Sequence, residues 1–138
     1  MAQNSITKTT EYACQALALT ASVALGFNAP VFTGISNVDK EAPCIICYAE
    51  SSTEDFPFSG INHVATNIII KEMAADTPSG SVFGGAIFEQ FLNDKTKAAL
   101  NSYPNYFVYE YFMTDTTEKI EGDAWVQSLK LDIISGLA

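Results

Sequence analysis

The stretch from His63 to Ala75, "HVATNIIIKEMAA", limits the possible folds more than any other part of the chain. Val64, Thr66, Ile68 and Ile70 share one side of a two-residue alternation, and Ala65, Asn67, Ile69 and Lys71 share the other. Successive side chains of a strand point to opposite faces, so the pattern predicts a long strand with one apolar face. Such a strand needs sheet neighbours and a covering layer.

The remaining segments supply both. "CIICYAE" follows Pro43, is rich in β-branched and aromatic residues, and predicts a strand. "NYFVYEYFMTD" and "GDAWVQSLKLDIIS" predict two more; in the latter Trp125, Leu129, Leu131 and Ile133 alternate with Ser128, Lys130 and Asp132. Thr9 or Thr10 can cap a helix that runs to Leu25, with Gly26 as its stop and Ala13, Cys14, Leu17, Ala21, Ala24 and Leu25 as its apolar stripe. Ser81 can cap a second helix, "VFGGAIFEQFLND", which continues briefly through "KTKAALNSY" until Pro104. Residues 1–8 read as a polar tail, "FNAPVFTGISNVDKEAP" as a loop or short extended piece, and 114–122 as an extended hairpin loop.

The order α-β-β-α-β-β predicts an α+β fold in a single domain over residues 1–138. An antiparallel four-stranded sheet carries two helices packed on one face. The expected core holds Ile68, Ile70, Phe88, Phe91, Trp125, Leu129 and Leu131. A chain of 138 residues buries roughly 68–70% of its unfolded surface, so it needs neither disulfide nor metal to be stable. A hydrophobic content of 48% excludes a disordered chain. The most apolar early run, "ACQALALTASVALGF", is interrupted by Gln15, Thr20 and Ser22 and is too short for a membrane span; it is also a poor fit to a signal peptide.

Charge narrows the function classes. Sixteen Asp and Glu stand against seven Lys, Arg is absent, and the net charge is −9. Nucleic-acid binders hold phosphates with clustered Lys and Arg, so specific nucleic-acid binding is not expected, nor is binding to an anionic membrane. No catalytic constellation stands out, and catalytic, cofactor and metal residues are all expected to be none. His63, the single histidine, has no Cys or carboxylate at ligand spacing and reads as a surface or capping residue. "GSVFGG", 80–85, opens a helix but lacks the Lys of a phosphate loop; its glycines read as a means of close approach to the sheet. Asp115, Glu118, Glu121 and Asp123 lie close together, but their spacing is not that of a calcium loop and Lys119 interrupts them, so they read as a solvated acidic loop. Glu54 and Asp55 lack the burial that would separate their pKa values. Cys44 and Cys47 form a C-x-x-C, but in a strand they project to opposite faces, which predicts packing atoms and not a redox or zinc pair. An odd count of three cysteines, with Cys14, also fits reduced, buried thiols.

Taken as a whole, the chain resembles the tail terminator (tail completion) proteins of long-tailed bacteriophages and related head–tail joining minor structural proteins. The resemblance runs from the helix at Thr9 through "APCIICYAES", "NIIIKEM" and "AIFEQFLNDKTKAAL" to the closing "GDAWVQSLKLDII", and it is architectural. It implies a non-enzymatic virion protein of the tail and neck, assembled in the host cytoplasm. Such proteins form a homo-oligomeric ring, usually hexameric, that caps the tail tube and joins it to the neck, with DNA passing through the lumen. Partners would be further copies of the chain, the tail tube protein and neck or connector proteins. Subunit contacts are then expected at Phe56, Phe58, Asp115, Glu118, Glu121 and Asp123, and along the sheet edges. The alternatives are another neck or tail component, such as a stopper, adaptor or tube protein, a small α+β ligand-binding module, or a small enzyme.

Overall fold

The computed structural model describes residues 2–54, 59–73 and 83–137. Helix α1 spans Ala2–Leu25 and is followed by a three-residue strand β1, Val31–Thr33, and a 3-10 turn at Ile35–Asn37. Strands β2 (Cys44–Glu54) and β3 (Asn62–Met73) come next, then helices α2 (Phe83–Glu89) and α3 (Thr96–Asn101), and finally β4 (Tyr106–Glu121) and β5 (Ala124–Leu137).

The strands form one mixed sheet in the order β1-β2-β3-β5-β4, with β1 parallel to β2 and every other pair antiparallel. This corrects the expected antiparallel four-stranded sheet with two helices: the sheet has five strands and the helices number three among the described residues. Two local features account for the difference. β1 is only three residues long and is punctuated by Pro30 and Gly34, so it carries no periodicity to read. The second expected helix is broken after Glu89, where Asn93 turns the chain: its amide donates to Glu89 O at 2.6 Å and its Oδ1 accepts from Lys95 N at 2.7 Å.

The alternation read in "HVATNIIIKEM" holds. Val64, Ile68 and Ile70 face the helices, in register with Ile133, Leu129 and Gln127 of β5, and Ile70 and Ile68 lie opposite Ile45 and Cys47 of β2. Helix α1 covers this face with Ile6, Ala13, Cys14, Ala18 and Ala21, small residues that let the helix lie close to the sheet. Ile87, Phe91 and Leu100 fill in from α2, the following turn and α3. Of the expected core, Ile68, Ile70, Phe91, Leu129 and Leu131 are fully buried and Phe88 packs against them, whereas Trp125 stands half-buried at the margin.

Helix α1 starts at Ala2, not at Thr9 or Thr10, because its buried row begins at Ile6 and passes through Thr10, whose hydroxyl meets Tyr106 Oη at 3.0 Å. The expected tail over residues 1–8 is therefore helical from residue 2. Gly26 is the stop: at φ +80° it sits in the left-handed region, Phe27 N donates to Ser22 O and Gly26 N to Val23 O. Ala24 and Leu25 end up on the exposed side of the helix. Gln15, Thr20 and Ser22 keep α1 from being uniformly apolar, and no helix among the described residues is long and apolar enough to cross a membrane.

The expected hairpin loop over 114–122 is also corrected. β4 continues to Glu121, with Thr116, Thr117 and Ile120 as β-branched strand residues, and the chain reverses at Gly122 and Asp123. Gly122 has φ +59°, which a two-residue hairpin turn with glycine first requires.

Candidate functional site

The two edges of the sheet are finished differently. On the β2 side the chain covers itself. β1 pairs with Ile45, Ile46 and Cys47, and Ile45 N donates to Pro30 O at 2.9 Å. Just past the end of β1, the next outward amide, Ala49 N, donates to the buried carboxylate of Glu11 at 2.8 Å. A β-bulge falls between Ala49 and Ser51. Short strands, bulges and side-chain caps blunt an edge against further pairing.

On the β4 side no further strand pairs among the described residues, although β4 has register shifts of its own between Val108 and Glu110 and between Met113 and Asp115. β4 is sixteen residues long and pairs with β5 alone. It is anchored at its start, where Tyr106 and Val108 are buried and Asn101 Oδ1 accepts from Val108 N, and Tyr111 Oη donates to Asn93 O at 2.7 Å. From Phe112 to Asp123 every residue is exposed, including Phe112, Met113 and Ile120 at 54%, 52% and 59%. Phe107 and Tyr109, also exposed, meet edge to face with ring centroids 4.8 Å apart. Large apolar side chains along an unpaired strand edge are what an interaction surface offers, and what a monomer ordinarily avoids.

The acidic residues expected to make subunit contacts divide between the faces of this strand. Asp115 and Glu121 lie on the side away from the helices, with Lys119 bonded to Glu121 at 2.7 Å. That contact holds the Glu121 carboxyl below its usual range. Glu118 lies on the helix side and accepts from the Gln127 amide. Asp123 is in the turn. Phe56 and Phe58 lie outside the described residues. No group of three His, Cys, Asp or Glu is placed to hold a metal ion among the described residues.

A cleft of about 390 Å³ opens at the turn end of the sheet, lined by Asp39, Lys40, Glu41, Lys71, Met73, Glu121 and Asp123, among others. Lys71 is not available to a ligand there. Its ammonium, on a residue only 9% exposed, donates to Val38 O at 2.7 Å and Lys40 O at 2.9 Å, which pins the 34–43 loop over the sheet.

The residues singled out for chemistry have structural partners. His63 Nδ1 lies 3.1 Å from Asp132 Oδ2 on the face opposite the helices. Gly84 N donates to Glu72 Oε1 at 2.6 Å, so the amide that a phosphate would seek already meets a buried carboxylate of the protein. Cys44 and Cys47 do lie on opposite faces, both fully buried, and Cys14 and Cys47 have Glu11 as a common neighbour. Burial, with the Glu11 charge adding to it, pushes the Cys14 thiol up to about 12 and Cys47 well above the ordinary value. Thiols held protonated in this way are poor nucleophiles and poor metal ligands.

Sequence reasoning missed the two buried carboxylates, Glu11 and Glu72. Each serves a backbone N–H that secondary structure leaves over, and no local pattern announces that need. A scan against protein-family models gives no match to this chain, and a search of curated proteins gives none either.

Proposed function

We propose that the chain is a virion structural subunit of the tail-terminator kind, forming a ring, hexameric in the usual case, that caps a tail tube and joins it to the neck. The observation that carries this reading is the asymmetry of the sheet: one edge closed by β1 and Glu11, the other a sixteen-residue strand with exposed Phe112, Met113 and Ile120. A surface of that kind on one side of a subunit can meet a different surface on its neighbour, and heterologous contacts close into a ring when the rotation between copies closes. The charge supports the lumen part of the reading. A ring of subunits each carrying −9 and no guanidinium lets DNA pass without gripping its phosphates.

The test is mass under native conditions at high concentration, with and without tail tubes. A species of about six copies, or one that forms on tube ends and appears at the head–tail junction in particle images, supports the ring. A strict monomer that also ignores tail tubes sinks it.

A further inference from the structure

Residues 12–38 contain no Asp, Glu, Lys or Arg, in a chain of net charge −9. About half of that stretch is α1, whose outer side exposes Tyr12 (42%), Leu19 (49%) and Val23 (60%), with the exposed Ala16 between them. Intervals of four, three and four place these residues in one row along the helix, roughly 17 Å long at 1.5 Å per residue. The opposite side of α1 is spent on the core through Ala13, Cys14, Ala18 and Ala21. An apolar row without carboxylates is where a second copy of so acidic a chain can approach without like-charge repulsion.

The outer half of β4 offers a matching row. Its register with β5 puts Met113, Thr116, Glu118 and Ile120 on the helix side, opposite Leu131, Leu129, Gln127 and Trp125. Asp115, Lys119 and Glu121 fall on the other side. Met113 and Ile120 are six β5 positions apart, about 20 Å at strand rise. The two rows are therefore of nearly equal length. Glu118 is the one charged residue of the four on the β4 row, and Lys8, 57% exposed and paired with Glu11 at 3.3 Å, stands one turn before Tyr12 on α1.

We propose that the outer row of α1 is the surface on which the outer half of β4 from a second copy docks, so that copies join strand to helix. This rests on the ring reading and names both halves of its contact. Joining the sheets edge to edge is opposed by charge and by coverage. On β1, Val31 O and Thr33 O already accept from the Gln15 and Asn37 amides, Ala49 N of β2 already donates to Glu11, and the open end of β2 would bring Glu50 and Glu54 towards Asp115 and Glu121. Joining α1 to α1 leaves Met113 and Ile120 in water. A row one helix wide covers less than the roughly 800 Å² per partner of a standard interface, so the contact gains its stability from repetition around a closed ring.

Engineered disulfides distinguish these arrangements, because the three native cysteines are buried. Leu19→Cys and Ile120→Cys chains carrying different tags are mixed and oxidised by dissolved oxygen with copper–phenanthroline. The expected product is the mixed 19–120 dimer, in severalfold excess over 19–19 and 120–120 dimers. Predominance of either like dimer overturns the docking. A multi-copy species by native mass without the 19–120 link overturns the docking while leaving the ring intact. A strict monomer without links removes both. Leu19→Asp provides the second readout: the multi-copy species falls at least tenfold while the urea midpoint of the chain stays put. A ring that survives this substitution refutes the assignment.

Discussion

Glu11 offers the sharpest energetic test, because its carboxylate caps an outward amide of β2 with one oxygen while the other pairs with Lys8 at 3.3 Å. It is 4% exposed, and Oε2 accepts the Ala49 N–H at 2.8 Å just beyond the end of β1. Glu11→Ala leaves that N–H without its acceptor, at a cost of about 1–3 kcal/mol. It also removes one buried methylene, Cγ, worth about 0.8 kcal/mol. The sum is roughly 2–4 kcal/mol. Glu11→Gln keeps both the volume and a carbonyl acceptor, losing the charge assistance and the part-exposed ion pair with Lys8, so its cost is about 0.5–1.5 kcal/mol. Relief of the buried charge works the other way and can bring the Gln variant close to zero. At roughly 3–5 °C per kcal/mol for a chain of this size, Glu11→Ala lowers Tm by about 6–20 °C. Urea unfolding followed by the fluorescence of Trp125, the single tryptophan, measures both variants. If Glu11→Gln costs as much as Glu11→Ala, the carboxylate is not acting as an edge cap and the account of the closed edge fails.

Two further outcomes follow from the packing. Gly136→Ala places a Cβ 2.6 Å from Gly60 O, so backbone must shift, and unfolding experiments should show a loss of about 1–3 kcal/mol; Gly85→Ala, in open space within α2, should instead gain up to about 1 kcal/mol. The thiols set an alkaline limit. Below about pH 9 they are protonated whether the chain is folded or not; above it the unfolded thiols ionise while Cys14, raised from 9.0 to about 12, stays protonated. Stability therefore falls from about pH 9 towards 12, by up to about 1.4 kcal/mol per pH unit for each buried thiol. Urea midpoints across that range should decline less in a Cys14→Ala chain. Alkylation at pH 8 should leave all three cysteines of the folded protein unmodified, and rapid labelling would contradict the burial.

What the sequence disclosed depended on whether a residue's role repeats along the chain. The alternation of Val64, Ile68 and Ile70, the stop at Gly26 and the opposed cysteines were legible because each is a periodic or single-residue signal. β1 was not, since three residues cannot show a period and its pairing is with β2, fourteen positions away. The 114–122 segment reads as polar loop because its acids and threonines alternate without an apolar face. The strand there is held by its ladder with β5 and by the turn at Gly122, and burial contributes little. The sequence singled out Asp115, Glu118, Glu121 and Asp123 as expected contacts but not the exposed Phe112, Met113 and Ile120 beside them. Apolar residues in an aromatic strand are ordinarily read as inward; the register puts Phe112 on the face away from the helices, and the exposure of Met113 and Ile120 shows that the helices do not extend over them.

The grip of Lys71 on Val38 O and Lys40 O carries a consequence for the order in which the chain assembles. Its lysine belongs to β3, and the carbonyls belong to the loop that brings β1 back alongside β2. Until β2 and β3 have zipped, the loop lacks this anchorage, and β1 is held by three residues of parallel pairing and by the Gln15 amide on Val31 O. β1 is thus expected to join last and leave first, and hydrogen exchange should find its amides opening before those of the other four strands. The closed edge, in kinetic terms, is a latch.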